Sequence, residues 1–290
     1  MQSVMKIGRT HLMDATPMTL GQEFSGYAAQ IKYGVTRTER AINRLSENLP
    51  IGGTAIGTGI NTSPQFAKKV VARLSKATGV KFTEASNHFE AQATRDCIVE
   101  AHGELKTIAI SLSKVANDIR LLGSGPRCGL YEILLPAVQP GSSIMPGKVN
   151  PVICEAVMQV ACRVVGNDAT ITIGAAGGIG SLFELNLAMP VIAASLLETI
   201  ELLTGAATIL HDKCVVGIKA NKKIAEGMVE QSLMLGTALA PVIGYDAASR
   251  IAKAALVSGR TIREEVLAEG LLDEAQLDRL LDVSAMIHPH

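Results

Sequence analysis

The chain has few aromatic residues, no excess charge of either sign and no paired-cysteine motif, and each absence excludes a class of protein. Aromatic residues make up 3% of the 290 residues and tryptophan is absent, so aliphatic side chains must fill the core. Lysine and arginine together number 27, as do aspartate and glutamate. A neutral chain lacks the electrostatic footprint of a protein that binds nucleic acid or an anionic membrane surface, and we expect neither partner.

The cysteines and histidines give no sign of a disulfide framework or a metal centre. Five cysteines are an odd number, and no Cys-x-x-Cys pair occurs. We therefore expect reduced thiols in a cytoplasmic protein, with Cys154 and Cys162 facing the protein interior. No histidine has a second ligand at metal-binding spacing, so we expect no metal and no other cofactor. The first residues lack a signal-peptide core, and no uncharged stretch reaches the roughly 18 residues that span a bilayer.

Hydrophobic periodicity predicts an all-α protein. Hydrophobic residues make up 48% of the chain, and many recur at the i, i+3, i+4, i+7 spacing of an amphipathic helix. The predicted helices cover residues 22–48, 64–78, 90–103, 105–122, 151–172, 191–210 and 221–235. No run alternates between apolar and polar residues in the manner of a strand, so we expect no sheet.

The length of the helical patterns in the sequence changes near residue 243. Beyond it the helical patterns become short, Thr261 and Glu264 have the spacing of a capping box, and a further short helix is predicted over 273–281. We therefore expect two domains. Residues 1–243 form a bundle of long helices, and residues 244–290 form a small helical domain.

Two polar segments carry the candidate chemistry. Residues 139–151 contain three prolines and two glycines around two serines, a lysine and an asparagine, which excludes regular structure. Long loops of this kind are often lids or binding loops. Lys148 supplies a point charge and Asn150 an amide donor, a combination suited to the carboxylates of a small dianion. A purely structural turn remains an alternative at this level of argument.

The second polar segment, residues 6–17, places Thr10 beside His11 in a predicted loop before the first helix. Histidine is the natural proton carrier near neutral pH, and the threonine hydroxyl can donate to an anionic oxygen. A hydrogen-bonded loop histidine without catalytic function is the alternative.

The run Gly141-Ser-Ser-Ile-Met-Pro-Gly-Lys-Val-Asn-Pro151 resembles the signature of the fumarase/aspartase superfamily, whose members eliminate a group β to a carboxylate and release fumarate. Further blocks agree in the expected order: Gly8-Arg-Thr-His-Leu-Met-Asp-Ala-Thr-Pro17, Gly52-Gly-Thr-Ala-Ile-Gly-Thr-Gly-Ile-Asn61, Asn117-Asp-Ile-Arg-Leu-Leu-Gly-Ser-Gly-Pro-Arg127 and Phe183-Glu-Leu-Asn186. The resemblance covers essentially the whole chain and implies a long-helix bundle of this superfamily's type.

The resemblance implies a role for each residue of the serine loop. Ser142 is expected to be the base that removes a proton from the carbon next to one carboxylate, and the adjacent Ser143 to bind substrate. Lys148 and Asn150 are expected to hold that carboxylate and stabilise the aci-carboxylate that develops. A serine is a poor base at its free pKa, so this role requires backbone donors in a closed loop.

The resemblance also implies that Thr10 and His11 hold the other end of the substrate. His11 is expected to pair with Glu155 and to assist the leaving group. The resemblance implies a homotetramer in which each active site contains residues from three subunits. In that arrangement, His11 and Ser142 of one site come from different chains.

Several blocks favour class II fumarase over aspartase within the superfamily. Asp14-Ala-Thr-Pro17, Gly52-Gly-Thr-Ala55 and Asn87-His-Phe-Glu-Ala-Gln92 have the fumarase form, so the expected reaction is the reversible hydration of fumarate to L-malate. The segments 135–141 and 166–172 would also suit an aspartase, which keeps L-aspartate ammonia-lyase as an alternative. A non-catalytic oligomeric remnant is the alternative from a different class.

Two features depart from the family pattern. Family members carry a substantial portion before the block that contains His11, including further substrate-binding stretches. We expect that this chain is a fragment or is complemented by another chain, and inactivity of the isolated chain is kept as an alternative. The second departure is the segment 177–182, which looks a few residues longer than the usual turn.

Overall fold

The computed structural model describes residues 1–288, of which the greater part is helical and little is strand, confirming the all-α prediction. The helices are α1 (Leu20–Ser46), α2 (Phe66–Thr78), α3 (His88–Ala93), α4 (Asp96–Leu122), α5 (Val152–Ala175), α6 (Met189–Lys213), α7 (Lys222–Gln231), α8 (Ala240–Ile243), α9 (Tyr245–Ser258), α10 (Ile262–Ala268) and α11 (Glu274–Leu280). The strands are β1 (Met5–Thr10), β2 (Met13–Thr19), β3 (Ile133–Leu134), β4 (Ser181–Leu182), β5 (Leu185–Asn186) and β6 (Lys219–Ala220).

Residues 5–19 form a β-hairpin, and the short strands pair as β3 with β6 and β4 with β5, so the prediction of no sheet was wrong. β1 pairs antiparallel with β2, and the register shifts between Ile7 and Arg9. The adjacent residues Lys6 and Ile7 are each only 1% exposed, which means that β1 is buried on both faces. A lysine buried in ion pairs removes the apolar alternation by which a strand is recognised in a sequence.

The helix boundaries differ from prediction near residue 95. The predicted helix over 90–103 is divided, because Thr94 is extended and its N–H bonds back to the carbonyl of Glu90. The next helix, α4, then continues through Gly103 to Leu122 without the predicted interruption. The predicted capping box is confirmed, since Thr261 accepts a hydrogen bond from the backbone N–H of Glu264, and Asp273 caps the last short helix in the same way.

The chain divides into two compact units. The hairpin unit comprises residues 1–28, 119–149 and the described residues from 217 onward, and the bundle unit comprises residues 29–118 and 150–216. The core of the hairpin unit contains one residue of β1, Ile7, and aliphatic residues from α7 to the C-terminal helices: Val229, Leu235, Leu239, Ile251, Ala255, Ile262, Val266, Leu277 and Leu281. The domain boundary at residue 243 stays a prediction.

The bundle unit is centred on the packing of α5 against α6. A glycine favours their close approach, because a Cβ at Gly174 would lie 3.0 Å from Ile192 Cγ1, a tight contact. Large apolar side chains also face away from this contact, including Leu197 at 66% and Ile173 at 54% exposed. By length and composition alone, one stretch of the described chain that contains α6 is apolar enough to cross a membrane, and most of it is exposed.

Within residues 1–288, which include all five cysteines, no disulfide bond forms. Cys154 and Cys214 are buried with their sulfur atoms 3.8 Å apart, whereas Cys128 and Cys162 are exposed and Cys97 is partly buried. The expectation that Cys162 faces the interior was therefore wrong. A spacing of eight residues rotates a helical position by about 80° beyond two full turns, so Cys154 and Cys162 do not share a face.

Candidate active site

The tip of the first hairpin presents Thr10 and His11. Thr10 ends β1 and pairs with Met13, and the two residues between them, His11 and Leu12, form the turn with φ angles of 56° and 64°. A two-residue hairpin with both central residues at positive φ usually contains Asn or Gly. Here an exposed histidine and a leucine adopt this conformation, which is strained for both and is more often retained at functional sites.

The serine loop, residues 139–151, is closed by backbone hydrogen bonds. The N–H of Gly141 donates to the carbonyl of Lys148 at 2.7 Å, and the N–H of Lys148 donates to Met145 at 3.2 Å. Gly147 has a φ of 79°, which permits the sharp turn that brings Lys148 back towards Gly141. The apolar side chain of Ile144 at the loop tip is 87% exposed.

In this loop, Ser142 has a side-chain oxygen that accepts two backbone hydrogen bonds. Its Oγ accepts hydrogen bonds from the backbone N–H groups of Ile144 at 3.2 Å and Met145 at 3.1 Å. Donors of this kind stabilise negative charge on the oxygen, because hydrogen bonds to the charged form favour it. The adjacent Ser143 is exposed in the same loop.

The remaining predicted residues follow directly in the chain. Lys148 is exposed at the end of the loop, and Asn150 is partly buried just before α5. Glu155 lies in the first turn of α5, partly buried, with its N–H bonded to the carbonyl of Pro151. A helix N-terminus attracts anionic groups, and the amide of Asn150 lies next to this one in the chain.

The structure places the predicted residues at the hairpin tip, along the serine loop and at the start of α5. Thr10 and His11 share the hairpin tip, and Ser142, Ser143 and Lys148 share the serine loop, both within the hairpin unit. Asn150 and Glu155 belong to the bundle unit. The expected pairing of His11 with Glu155 and the catalytic role of each residue stay predictions.

Sequence reasoning missed a charged cluster behind the hairpin. Glu132, which is fully buried, lies 2.8 Å from Arg9 and 3.3 Å from Lys6, measured between carboxylate oxygen and nitrogen. Lys6 also lies 2.9 Å from Glu23. The available signal was weak, because it consists of one lysine beside Ile7 and one glutamate before the short apolar strand β3.

A second polar cluster, the His102 cluster, joins three helices of the bundle unit. The buried ring of His102 donates from Nδ1 to the carboxylate of Asp168 at 2.9 Å, and its Nε2 lies 2.9 Å from Thr199 Oγ1. Lys106 Nζ lies 2.5 Å from the other oxygen of Asp168. Burial raises the pKa of Asp168, but the hydrogen bonds and charges of Lys106 and His102 outweigh it, so the pKa lies below its ordinary value.

Comparison with known proteins identifies the family. A family model described as Lyase matches residues 1–166, more than half of the chain. The chain belongs to the lyase family. A second model, described as Fumarase C C-terminus, matches residues 235–288 of this lyase.

The lyase chain is similar to class II fumarate hydratases. It is 54% identical to one from Corynebacterium efficiens over 98% of this chain and 60% of that protein. It is 52% identical to the mitochondrial fumarate hydratase of Saccharomyces cerevisiae over 99% of this chain and 58% of that protein. The class II fumarase of Schistosoma mansoni superposes with a TM-score of 0.94 at 38% identity, over 99% of this chain and 62% of that chain.

These matches confirm the resemblance to the fumarase/aspartase superfamily that the sequence motifs indicated, and with it the long-helix fold. They also show that this lyase chain spans about 60% of the length of the relatives it matches.

Proposed function

We propose that this protein catalyses the reversible hydration of fumarate to L-malate. The observation that carries the proposal is the environment of Ser142, whose Oγ accepts two backbone N–H groups in a closed loop. A lysine and an asparagine follow within the same stretch of chain, as binding of a carboxylate requires. The names of the most similar relatives support the same reaction.

In the direction of elimination, Ser142 as alkoxide removes the proton from the carbon next to one carboxylate of malate. The electron pair moves onto that carboxylate, and Lys148 and Asn150 stabilise the resulting aci-carboxylate. The pair then returns to form the double bond while the hydroxyl group on the adjacent carbon leaves. His11 donates a proton to this hydroxyl so that it departs as water, and Glu155 orients the ring. Thr10 and Ser143 bind substrate and fix its orientation.

We further propose that the active unit is a homotetramer in which several subunits contribute to each site. The apolar side chains exposed on α5, on α6 and at the tip of the serine loop support this assembly, because large apolar side chains left exposed by a chain's own fold often mark interaction surfaces. Bacterial and mitochondrial proteins both occur among the relatives, and we propose a cytoplasmic location for this one.

The experiment is an ultraviolet assay of fumarate formation by the purified chain, with L-malate in one cuvette and L-aspartate in another. Formation from malate is the expected result. Formation from aspartate alone would replace the proposal by an ammonia-lyase. No fumarate from either substrate, including after addition of the N-terminal segment of the Corynebacterium efficiens relative as a separate polypeptide, would favour a non-catalytic oligomeric remnant.

Substitution of Ser142 tests its proposed role as the base in the same assay. Ser142→Ala should lower kcat by about 100-fold or more, because it removes a general base. Ser63→Ala is the matched control, since Ser63 is an exposed loop serine whose Oγ likewise accepts a backbone N–H, from Gln65 at 3.2 Å. If Ser142→Ala has the same kcat as an active Ser63→Ala variant, Ser142 is not the base.

A further inference from the structure

The Glu132 cluster consists of two cations of β1 and two carboxylates within the hairpin unit. Glu132 Oε1 lies 2.8 Å from Arg9 Nη2, and Oε2 lies 3.3 Å from Lys6 Nζ. Glu23, near the start of α1, lies 2.9 Å from the same lysine nitrogen. Glu132 is fully buried and Lys6 is 1% exposed, so their charges depend on one another rather than on water.

The backbone of Glu132 is held on both sides. Its N–H donates to the carbonyl of Leu122 at 2.9 Å, and its own carbonyl accepts from the N–H of Asn221 at 2.9 Å. The two residues that follow form β3, which pairs with β6. The carboxylate therefore projects towards β1 from a fixed position.

The two cations lie on opposite sides of the irregularity in β1. The register of the hairpin shifts between Ile7 and Arg9, with Lys6 before the shift and Arg9 after it. Each cation contacts a different oxygen of Glu132. A bulge bends a strand and redirects the residues beyond it, and the next residues are Thr10 and His11.

Stability alone does not explain the Glu132 cluster. Within residues 1–288, no hydrogen bond of good geometry reaches either carboxylate oxygen of Glu132, although both lie within ion-pair distance of a cation. Apolar side chains of similar volume often stabilise a fold as well as a buried ion pair does. What the charges add is a preferred arrangement, because each charge becomes costly to bury when its partner moves away.

We propose that Glu132 is a positioning residue that fixes the direction of the hairpin tip, and with it His11, relative to the segment that leads into the serine loop. The proposal rests on the functions proposed above for His11 and Ser142. β1 ends at Thr10 and His11, and β3 continues through residues 135–138 into the serine loop. One buried carboxylate thus sets the starting position of both catalytic segments of the chain.

Glu132→Gln in the full chain tests the proposal, because it keeps the size of the side chain and removes its charge. We expect kcat for malate to fall about 100-fold with a much smaller change in KM, since misplacement of a reacting group by about 1 Å has an effect of this size. Amide hydrogen exchange in residues 5–19 should accelerate about tenfold, while exchange in α5 and α6 stays unchanged. Glu23→Gln is the matched control, and its kcat should stay within about threefold of the parent because Glu23 is partly exposed.

A second variant distinguishes the proposed positioning role of the Glu132 cluster from a purely structural role. The triple variant Lys6→Met, Arg9→Met, Glu132→Met replaces the cluster with apolar side chains. We expect its urea midpoint to match that of the parent while kcat stays low. Recovery of kcat together with the midpoint would overturn the proposal.

Two further measurements keep the test decisive. If Glu132→Gln does not fold, Arg9→Met retains the pair of Lys6 with Glu132 and should accelerate exchange only in residues 9–14. Hydrogen exchange requires no turnover, so it separates the two proposals. A parent chain without turnover even after addition of the N-terminal segment contradicts the proposed function, whereas unchanged hairpin exchange in Glu132→Gln or Arg9→Met contradicts the role of Glu132.

Discussion

His102 is fully buried between α4, α5 and α6, and polar groups from all three helices meet at its ring. Asn167 extends the cluster, because its Nδ2 donates to Thr199 Oγ1 at 3.1 Å and to Glu198 Oε2 at 2.8 Å. In a bundle with aliphatic packing, such a cluster defines which residues of neighbouring helices face one another. The polar side chains lose their partners if one helix slides along another.

Asp168→Asn should lower the free energy of unfolding at pH 7 by about 1–3 kcal/mol, because Lys106 loses its counter-charge. The folded-state pKa of Asp168 lies below its ordinary value, so its contribution is complete above about pH 5 and is lost as the pH falls below about 4. The difference in the free energy of unfolding between parent and variant, measured by urea unfolding, should therefore decrease only as the pH falls below about 5.

Asp118→Asn is the control for this pH series, since Asp118 pairs with Lys114 on the surface of α4. Its effect should stay within about 0.5 kcal/mol at every pH. A difference for Asp168→Asn that persists unchanged at pH 3.5 would contradict the assignment of a lowered pKa.

At the scale of residues, the sequence locates Ser142, Lys148 and Asn150 because they are neighbours in one proline- and glycine-rich loop. Glu132 and Lys6 could not be paired in advance, since they are far apart in the chain and each has the type expected of a surface residue. Their proximity depends on the positions of β1 and β3. Contacts within a short segment are thus predictable here, and contacts between segments are not.

The turn between α5 and α6 is built around two glycines that approach each other closely. A Cβ on Gly180 would lie 1.6 Å from the carbonyl oxygen of Gly174, a separation that no side-chain rotation relieves. Asn186 secures the same carbonyl, because its Nδ2 donates to it at 3.1 Å while its Oδ1 accepts from the N–H of Ala188 at 2.9 Å. This turn contains the segment 177–182, which the sequence predicts to be longer than the usual turn of the family.

Gly180→Ala should lower the free energy of unfolding by about 3 kcal/mol, because the backbone of the turn must move to admit the methyl group. Gly227→Ala in α7 is the matched control, since a Cβ there meets nothing within 4 Å. It should be neutral or stabilise the chain by up to about 1 kcal/mol. Equal urea midpoints for both variants would refute the close approach.

At the scale of elements, α1 and the second half of α4 were predictable because a period of 3.6 residues persists over many turns, and α6 was predictable because apolar residues continue along it on nearly every face. The hairpin was not, because Lys6 and Pro17 interrupt the alternation of its strands. The division between α3 and α4 was missed for a related reason. It involves only Thr94 and Arg95, too few residues to disturb a periodic pattern.

The whole molecule exposes apolar side chains on the long helices that its own fold does not cover. We expect the chain to form a homo-oligomer, visible in light scattering as a mass above that of one subunit. Leu197→Asp should shift the mass towards a single subunit, because the aspartate places a charge on an apolar contact surface. Glu201→Ala, at an exposed polar position of the same helix, is the control. A monodisperse monomer of the parent chain in light scattering would contradict the prediction of a homo-oligomer.

The distribution of the five cysteines gives the molecule a native set of chemical labels. Cys128 lies in an exposed loop, Cys162 lies on the outer surface of α5, and Cys154 with Cys214 is enclosed within the bundle unit. A thiol reagent therefore distinguishes surface from core without any engineered probe. If neighbouring subunits cover α5, the reactivity of Cys162 reports association, while that of Cys154 and Cys214 reports unfolding.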